Sequence, residues 1–229
     1  KFSFEEVFKL YPPELQLGFL KFLKGTPVRD KYEQYGYVFD PVAPYQIIKS
    51  NYLSEQELAD IVKLEHALEI YWNKKRLVHT LTYVTKHLSI FDFLLELGKF
   101  FEQRSSFFSF TAMDIYIIAD AFIKEHYPND SVLHQLLAID YYLQQKIKPA
   151  EKFITEVEKK EKFSLLEKLK LPHQKLRYTV IPIGFDYNCF LQENTIINHP
   201  QLLVIEYTGT SKPTVKAAIE TMKLSLVSL

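Results

Sequence analysis

The sequence predicts a mainly α protein of the α+β class, an antiparallel helical bundle with a small extended segment at its N-terminal end and a hairpin-like pair of strands near its C-terminal end. The helical prediction depends on about five segments of helical hydrophobic period between Ser54 and Lys148, interrupted only by Gly98 and Pro128. The β prediction depends on a change after Pro172 to runs rich in β-branched and aromatic residues.

The composition indicates a protein with a sizeable core and no net charge. With 229 residues and 47% hydrophobic content, the chain is long enough to bury such a core. Its 28 basic residues balance 28 acidic ones, so we expect no nucleic acid and no anionic membrane surface as partner. The longest apolar run, residues 115–123, is interrupted by Asp120 and falls short of the roughly 20 residues that span a bilayer.

A single cysteine, Cys189, excludes an internal disulfide and any cysteine-ligated zinc or iron–sulfur site held by this chain alone. The 7 histidines never adopt a metal-ligand spacing such as H-E-x-x-H, so we expect no metal ligands. No methionine precedes Lys1 and no signal-peptide pattern follows it. We therefore expect a part of a longer protein in a reducing cytoplasm.

The first residues predict short elements. Ser3 and Glu6 have the spacing of a capping box, which predicts a helix ending near Tyr11. Residues 15–20 suit a buried strand by their flanking turns and a helix face by their apolar spacing, so both alternatives stay open.

Turn signals dominate the next segment. A short helix over residues 30–35 should end at Gly36, and residues 37–39 should be extended. Pro41 and Pro44 disfavour the helical region for the residues before them, which predicts an extended linker.

The central helices carry the clearest pattern. Ser54 and Glu57 form a second capping box, and the apolar stripe that follows reaches Trp72. Further apolar stripes with helical spacing lie within residues 77–88, 93–101, 111–127 and 132–143. Short connections predict antiparallel neighbours.

After these helices the pattern becomes mixed. Pro149 suits the first position of a further helix, with the charged run at residues 156–162 as its solvated face. Residues 176–183 and 202–207 predict two strands that pair with each other.

Pro213 begins an amphipathic stretch, with Val215, Ile219 and Met222 as its apolar positions, that predicts a final helix. The predicted domain organisation is residues 1–45 as a tail or linker, 46–172 as the helical domain, and 173–229 as a small α+β segment packed on the helices.

Three segments resemble a known family: LQLGFLKFLKGT (residues 15–26), YGYVFDPVAPYQIIKSNYLSEQEL (residues 35–58) and LEHALEIYWNKKR (residues 64–76). They are similar to the C-terminal region of cobalamin-binding radical SAM proteins. In that family a cobalamin-binding domain precedes a barrel that holds a four-iron cluster, and a helical domain of unknown function follows. The resemblance implies that residues 1–45 are the tail of such a barrel and that residues 15–20 are one of its late strands.

The chain lacks the C-x-x-x-C-x-x-C triad for the cluster and the D-x-H-x-x-G motif for cobalamin. The resemblance therefore implies a non-catalytic accessory domain, acting as a lid, a substrate-binding surface or a docking face. The 4Fe-4S cluster, S-adenosylmethionine and cobalamin would all belong to upstream domains of the same chain, which would be its partners.

A few residues are candidates for contact with substrate or cofactor. Lys21, Lys24 and Gly25 follow the expected barrel strand, and active sites gather at the C-terminal ends of barrel strands. Asp120 and Asp140 lie beside apolar helix stripes, where Asp is unfavourable. Both are interpreted as buried hydrogen-bond acceptors or as cavity-lining residues.

Two functions are compatible with these features. An accessory domain of a radical SAM enzyme predicts an open apolar face near residues 1–45. A free-standing helical module that binds a protein or a small ligand predicts a concave apolar surface between the central helices. No spacing of nucleophile, base or metal ligand indicates an enzyme that acts alone.

Overall fold

A computed structural model describes residues 1–173 and 177–221. Its helices are α1 (Phe2–Phe8), α2 (Pro27–Asp30), α3 (Glu55–Ala67), a π-helix (Leu68–Asn73), α4 (Val78–His87), α5 (Ile90–Arg104), α6 (Ala112–His126), α7 (Ser131–Gln144), α8 (Lys159–Lys168) and α9 (Tyr187–Glu193). Its strands are β1 (Val38–Phe39), β2 (Ile47–Lys49), β3 (Tyr178–Phe185), β4 (Asn198–Glu206) and β5 (Thr214–Glu220). The architecture is mixed α and β with more helix than strand, in agreement with the predicted α+β class.

The elements form two compact units. Unit 1 comprises Lys1–Lys74 and Ser89–Thr111, and unit 2 comprises Lys75–Leu88 and Ala112–Leu229. The predicted central helices are present, but α3 and α5 belong to unit 1, whereas α4, α6 and α7 belong to unit 2. The predicted bundle is thus divided between the units. The domain boundaries at residues 45 and 172 remain a prediction.

In unit 1, α3 packs along α5 with a close approach of the two backbones at Gly98. A Cβ atom at this position would lie 2.3 Å from the carbonyl oxygen of Lys63, so only glycine fits. The predicted capping box of α3 is confirmed. The Ser54 hydroxyl accepts the N–H of Glu57, and the Glu57 carboxylate accepts the N–H of Ser54.

The predicted capping box of α1 is wrong. The helix begins at Phe2, before Ser3, and no side chain caps it. Its buried residues are Phe4 and Phe8, whose rings stack with centroids 5.5 Å apart. Burial of this pair, one helical turn apart, therefore outweighs the local capping signal. The helix also stops short of Tyr11, which has a left-handed φ of 48°.

A small hairpin follows in unit 1. β1 and β2 are antiparallel, with Val38 opposite Lys49. Pro41 and Pro44, predicted to lie in an extended linker, lie in the loop of this hairpin. Gly36 has a φ of 64°, as its predicted role at a helix end requires, but the helix before it is α2, which is earlier than predicted.

The strand expected at residues 15–20 is not formed within the described residues. The segment is extended but belongs to neither sheet. It approaches the hairpin only at its end, where the N–H of Ile47 donates to the carbonyl of Leu20 over 2.9 Å. The structure therefore shows no barrel remnant.

In unit 2, α7 packs on α4, α6 and β3. β3, β4 and β5 form an antiparallel sheet with β4 in the centre, and Val180 lies opposite Val204. The predicted pairing of two strands is thus confirmed and extended by a third. Leu176, the first residue of the predicted strand, lies outside the described residues.

The predicted final helix is wrong, because Thr214–Glu220 is strand β5. Ala217 and Ile219 both pack against the apolar cluster between α8 and the sheet. Residues two apart share a face in a strand but not in a helix, so the burial of Ala217 and Ile219 follows the period of a strand. Met222 lies outside the described residues.

The helix predicted to begin at Pro149 is also wrong, because α8 begins at Lys159. The N–H of Val157 donates to the carbonyl of Val180 over 3.1 Å, so the chain before α8 runs along the edge of β3. The charged run is not wholly solvated, because the side chain of Glu156 is only 10% exposed.

Candidate functional site

Residues 15–20 form an extended segment on unit 1 that belongs to neither sheet of the described residues. Residues 15, 17 and 19 are half-buried and residues 16, 18 and 20 are exposed, which is the alternation of a β-strand. Within the described residues, no group donates a hydrogen bond to the backbone of Leu17, Gly18 or Phe19 or accepts one from it. The segment therefore presents unpaired N–H and C=O groups.

Side chains from the end of the π-helix hold the start of this segment. The amide oxygen of Asn73 accepts the N–H of Leu15 over 3.1 Å, and its amide nitrogen donates to the carbonyl of Leu15 over 3.0 Å. The indole N–H of Trp72 donates to the carbonyl of Pro12 over 2.9 Å. Because Leu20 pairs with Ile47 at the other end, the middle of the segment is fixed in an extended form.

Two apolar cavities flank the segment. The smaller, about 250 Å³, is lined by Leu17, Gly18, Phe19, Leu20, Ile47, Leu53, Leu58 and Ile61. The larger, about 350 Å³, is lined by Lys1, Ser3, Phe4, Val7, Leu15, Leu17, Ile61 and Phe91. Leu17 and Ile61 line both, so the cavities form one surface. We call these lining residues the N-terminal face.

Residues 1–52, which contribute most of the N-terminal face, expose many large apolar side chains. Within residues 1–52 they are Phe2, Val7, Leu10, Tyr11, Leu20, Leu23, Tyr35, Val38, Val42 and Tyr52. Phe2 is 77% exposed and Leu10 is 80% exposed. Isolated exposed apolar residues are ordinary, but Val7 and Leu20 also line the two apolar cavities, which is typical of an interaction surface.

Charged groups near the larger cavity are paired with one another. The Lys1 ammonium forms an ion pair with Asp92 and, as the main cause, holds the pKa of that carboxyl below its usual value. The hydroxyl of Ser89 donates to the carboxylate of Glu5. These pairs satisfy the local charges within unit 1, which favours an apolar partner over a charged one.

The predicted contact residues Lys21, Lys24 and Gly25 come directly after the segment and are exposed. Lys21 lies opposite Gln46 in an isolated β-bridge. Gly25 has a φ of 81° in the turn before α2. Contact of these three residues with substrate or cofactor stays a prediction.

Asp120 and Asp140 have different surroundings in unit 2. Asp140 is 2% exposed, and its carboxylate accepts the backbone N–H groups of His79 and Thr80 over 3.0 and 2.8 Å. Asp120 pairs with Lys124, one turn further along α6, over 2.6 Å. The structure thus places a buried acceptor at Asp140, and contact of either residue with a ligand stays a prediction.

Sequence reasoning missed a row of side chains that continues from Asp140. Oδ1 of Asp140 lies 2.8 Å from Nδ1 of His79. The other ring nitrogen of His79, Nε2, lies 3.1 Å from the hydroxyl of Tyr187. Burial, together with the charge of Asp140, raises the pKa of Tyr187 far above its usual value. The phenol therefore stays protonated at neutral pH. No local spacing indicates this row, because its members are far apart in sequence.

A groove of about 630 Å³ lies in unit 2 between the start of α7 and β3. It is lined by Pro128, Asn129, Ser131, His134, Gln135, Phe153, Ile154, Pro182, Ile183 and Gly184. The amide oxygen of Gln135 accepts the N–H of Gly184 over 2.7 Å, and Pro182 has no N–H to offer. This edge of β3 is therefore closed to strand addition, unlike the backbone at Leu17.

The donor groups of the chain do not fit the cofactors that the resemblance implies for a whole enzyme. In residues 1–173 and 177–221, no three His, Cys, Asp or Glu side chains lie close enough together to hold a metal ion. Cys189 alone cannot supply the cysteines of an iron–sulfur cluster. None of the helices in the described ranges has the length and hydropathy required to cross a membrane.

Comparison with known protein families gives a match over most of the chain. A family model described as "Protein of unknown function (DUF4080)" matches residues 33–220. No curated protein and no solved structure matches the chain.

Proposed function

We propose that this chain, which belongs to the family of proteins of unknown function DUF4080, is a non-catalytic accessory domain of a larger cobalamin-dependent radical SAM enzyme. Its role would be to dock on the upstream domains through the N-terminal face. The resemblance of residues 15–26, 35–58 and 64–76 motivates the enzyme class. The observation that carries the docking role is the unpaired backbone at Leu17, Gly18 and Phe19 beside two apolar cavities.

The unpaired backbone favours a partner that adds a strand. An extended segment with open N–H and C=O groups is a template for pairing, and proteins normally cover such a segment. Each backbone hydrogen bond gained would contribute about 1 kcal/mol net. A barrel strand from the upstream domain would supply these bonds, which agrees with the strand that the resemblance implies at residues 15–20.

The cavities favour the same partner. Side chains on either side of the segment, such as Val7 and Leu20, are exposed although they line apolar cavities. Covering them would contribute roughly 25 cal/mol for each Å² of apolar surface removed from water. Apolar and backbone contacts would thus act together at one docking face.

The ligand residues of this chain indicate which domains of the whole enzyme would hold its cofactors. The iron–sulfur cluster, S-adenosylmethionine and cobalamin would be held upstream, because this sequence contains one cysteine and lacks both the C-x-x-x-C-x-x-C triad and the D-x-H-x-x-G motif. Lys21, Lys24 and Gly25 follow the extended segment in the sequence and are exposed. They are the residues of this chain that we propose for contact with substrate or cofactor, as part of a lid or substrate-binding surface.

Hydrogen exchange tests the docking role. The amide protons of Leu17, Gly18 and Phe19 should exchange freely in residues 1–229 alone and at least about a hundredfold more slowly in the complete natural protein. The amide proton of Ile147, in an exposed loop, is the internal control and should exchange at the same rate in both proteins. Equal, fast exchange of the three amides in both proteins would contradict docking through this segment.

The alternative function is a free-standing module that binds a protein or a small ligand. The groove between α7 and β3 favours it, because Phe153, Ile154 and Pro182 provide apolar contacts beside the imidazole of His134. The same experiment separates the two functions. Protection at Phe153 and Ile154 without protection at Leu17 would favour the module.

A further inference from the structure

The extended segment of unit 1 has two backbone edges, one of which faces the hairpin of β1 and β2. The carbonyl of Leu20 accepts the N–H of Ile47 over 2.9 Å. The N–H of Phe22 donates to the carbonyl of Tyr45 over 2.8 Å. Successive residues of an extended chain direct their N–H and C=O groups to opposite edges. Even-numbered residues therefore face the hairpin, and odd-numbered residues face the other edge.

Asn73 closes one end of the edge that faces away from the hairpin. Its side-chain amide bonds both the N–H and the C=O of Leu15, over 3.1 and 3.0 Å. The next odd-numbered residues are Leu17, Phe19 and Lys21. Within the described ranges, nothing bonds to their backbone N–H or C=O groups. We call the backbone groups of these three residues the open edge. The chain then turns towards α2 and ends it.

Gly18 leaves a gap on the exposed face of the segment. Apart from its chain neighbours, an added Cβ atom would meet no atom within 4 Å. Its neighbours on that face, Gln16 and Leu20, are exposed. Gly18 also lines the apolar cavity of about 250 Å³ together with Ile47 and Leu58, so this cavity lies on the hairpin side of the segment. A side chain that reaches it from the open edge must cross the backbone at Gly18, and the missing Cβ atom permits this.

We propose that the open edge pairs with a short β-strand of the upstream domain, and that this strand inserts one aromatic side chain across Gly18 into the cavity. The inference rests on the proposed function, since it names the chemistry of the partner at the same docking face. Backbone pairing would satisfy the open edge. An aromatic ring on the neighbouring strand can cover a glycine backbone, because no Cβ atom opposes it. The N–H of Gly18 points to the hairpin, so the ring would shield it from water instead of bonding it.

Residue-resolved hydrogen exchange tests the pairing edge. In the complete natural protein the amide protons of Leu17, Phe19 and Lys21 should exchange at least about a hundredfold more slowly than in residues 1–229 alone. Phe22 is the internal control, because its N–H already donates to Tyr45 and should exchange slowly in both proteins. Protection of Leu17 and Phe19 with unchanged exchange at Lys21 would overturn the pairing edge and leave docking intact. Unchanged exchange at all three would contradict docking as well.

Substitutions at Gly18 test the inserted ring. Gly18→Leu would fill the crossing point, so the protection of Leu17 and Phe19 in the complete protein should fall at least about tenfold. Gly18→Ala should cause a smaller loss. Gln16→Leu is the matched control, because it adds the same side chain at an exposed position on the same face, and protection should change by less than about twofold.

Thermal unfolding of the isolated chain shows whether a variant folds. The parent and the Gly18→Leu variant should unfold alike, because an added Cβ atom meets open space. Full protection of Leu17 and Phe19 in the Gly18→Leu variant of the complete protein would overturn the inserted ring while docking stands. An equal loss of protection in the Gln16→Leu variant would also overturn it, since the effect would not be specific to the crossing point.

Discussion

The carboxylate of Asp140 on α7 accepts hydrogen bonds from both the backbone N–H and the hydroxyl of Thr80 on α4, over 2.8 and 2.7 Å. It also accepts the backbone N–H of His79. Leu77, at the N-terminal end of α4, provides no side-chain cap. A residue 60 positions away thus performs the capping that the local sequence of α4 lacks.

Replacing this buried cap should be costly. Asp140→Ala would leave two backbone N–H groups and one hydroxyl buried without their acceptor, so we expect the free energy of unfolding to fall by about 3 kcal/mol. Urea denaturation measures this change. Asp120→Ala is the matched control, because Asp120 pairs with the largely exposed Lys124 one helical turn away, and its loss should be at most about 0.5 kcal/mol. Equal effects of the two substitutions would contradict the capping role.

Gly98 should be intolerant of even one added methyl group. Gly98→Ala would place its Cβ atom 2.3 Å from the carbonyl oxygen of Lys63, so α3 and α5 would have to separate. We expect a net loss of about 2 kcal/mol, because this overpacking exceeds the gain in helix propensity. Thermal unfolding of Gly98→Ala and of Gly18→Ala provides the comparison. An added Cβ atom at Gly18 meets no atom within 4 Å, so that variant of the isolated chain should unfold like the parent.

Glu206 should make the free energy of unfolding depend on pH in the acidic range. Its side chain is 5% exposed and accepts hydrogen bonds from Lys216 and Arg177, each over 2.7 Å. The Lys216 ammonium is the main cause that holds the pKa of Glu206 below its ordinary 4.5. The pKa of Glu206 is lower in the folded chain than in the unfolded chain. Its contribution to stability is therefore fully present at pH values above the unfolded-state pKa and is lost as the pH falls through the folded-state pKa.

Glu206→Gln should therefore flatten the decline in the free energy of unfolding between about pH 5 and pH 2. The measurement is a series of urea denaturation curves for the parent and the variant across this range. Parallel curves for the two proteins would show that the carboxylate does not contribute through its charge.

A charge on the N-terminal face should weaken docking without unfolding the chain. Leu20 is 40% exposed, so Leu20→Asp should leave the stability of the isolated chain nearly unchanged. In the complete protein it would bury a carboxylate in an apolar interface, which costs several kcal/mol. We expect faster proteolysis of residues 15–25 in that variant. Ile147→Asp, at a position 69% exposed in unit 2, should have no effect, and equal proteolysis of both variants would contradict the docking face.

Elements set by local chemistry were predictable from the sequence. The capping box of Ser54 and Glu57 and the apolar stripes of α4 to α7 require only neighbouring residues, and the structure confirms them. The unusual position of Asp140 within an apolar stripe was also a correct signal for a buried acceptor. Its partners in α4 were not predictable, because they come from distant sequence.

Elements set by tertiary contacts were not predictable. Val215 and Ile219 suit a helix by spacing, yet pairing with β4 makes them part of a strand. Glu156 belongs to a charged run that is typical of a solvated face, yet Lys148 and Lys162 neutralise it in a nearly closed cluster. The extended form of residues 15–20 depends on Asn73, which no local pattern connects with that segment.

The central claim is that this chain is the accessory end of a radical SAM enzyme. Anaerobic purification of the complete natural reading frame, followed by its absorption spectrum and an assay for deoxyadenosine formed from S-adenosylmethionine, tests it most directly. We predict iron–sulfur absorption together with deoxyadenosine formation. A colourless complete protein that forms no deoxyadenosine would contradict the claim and favour the free-standing binding module.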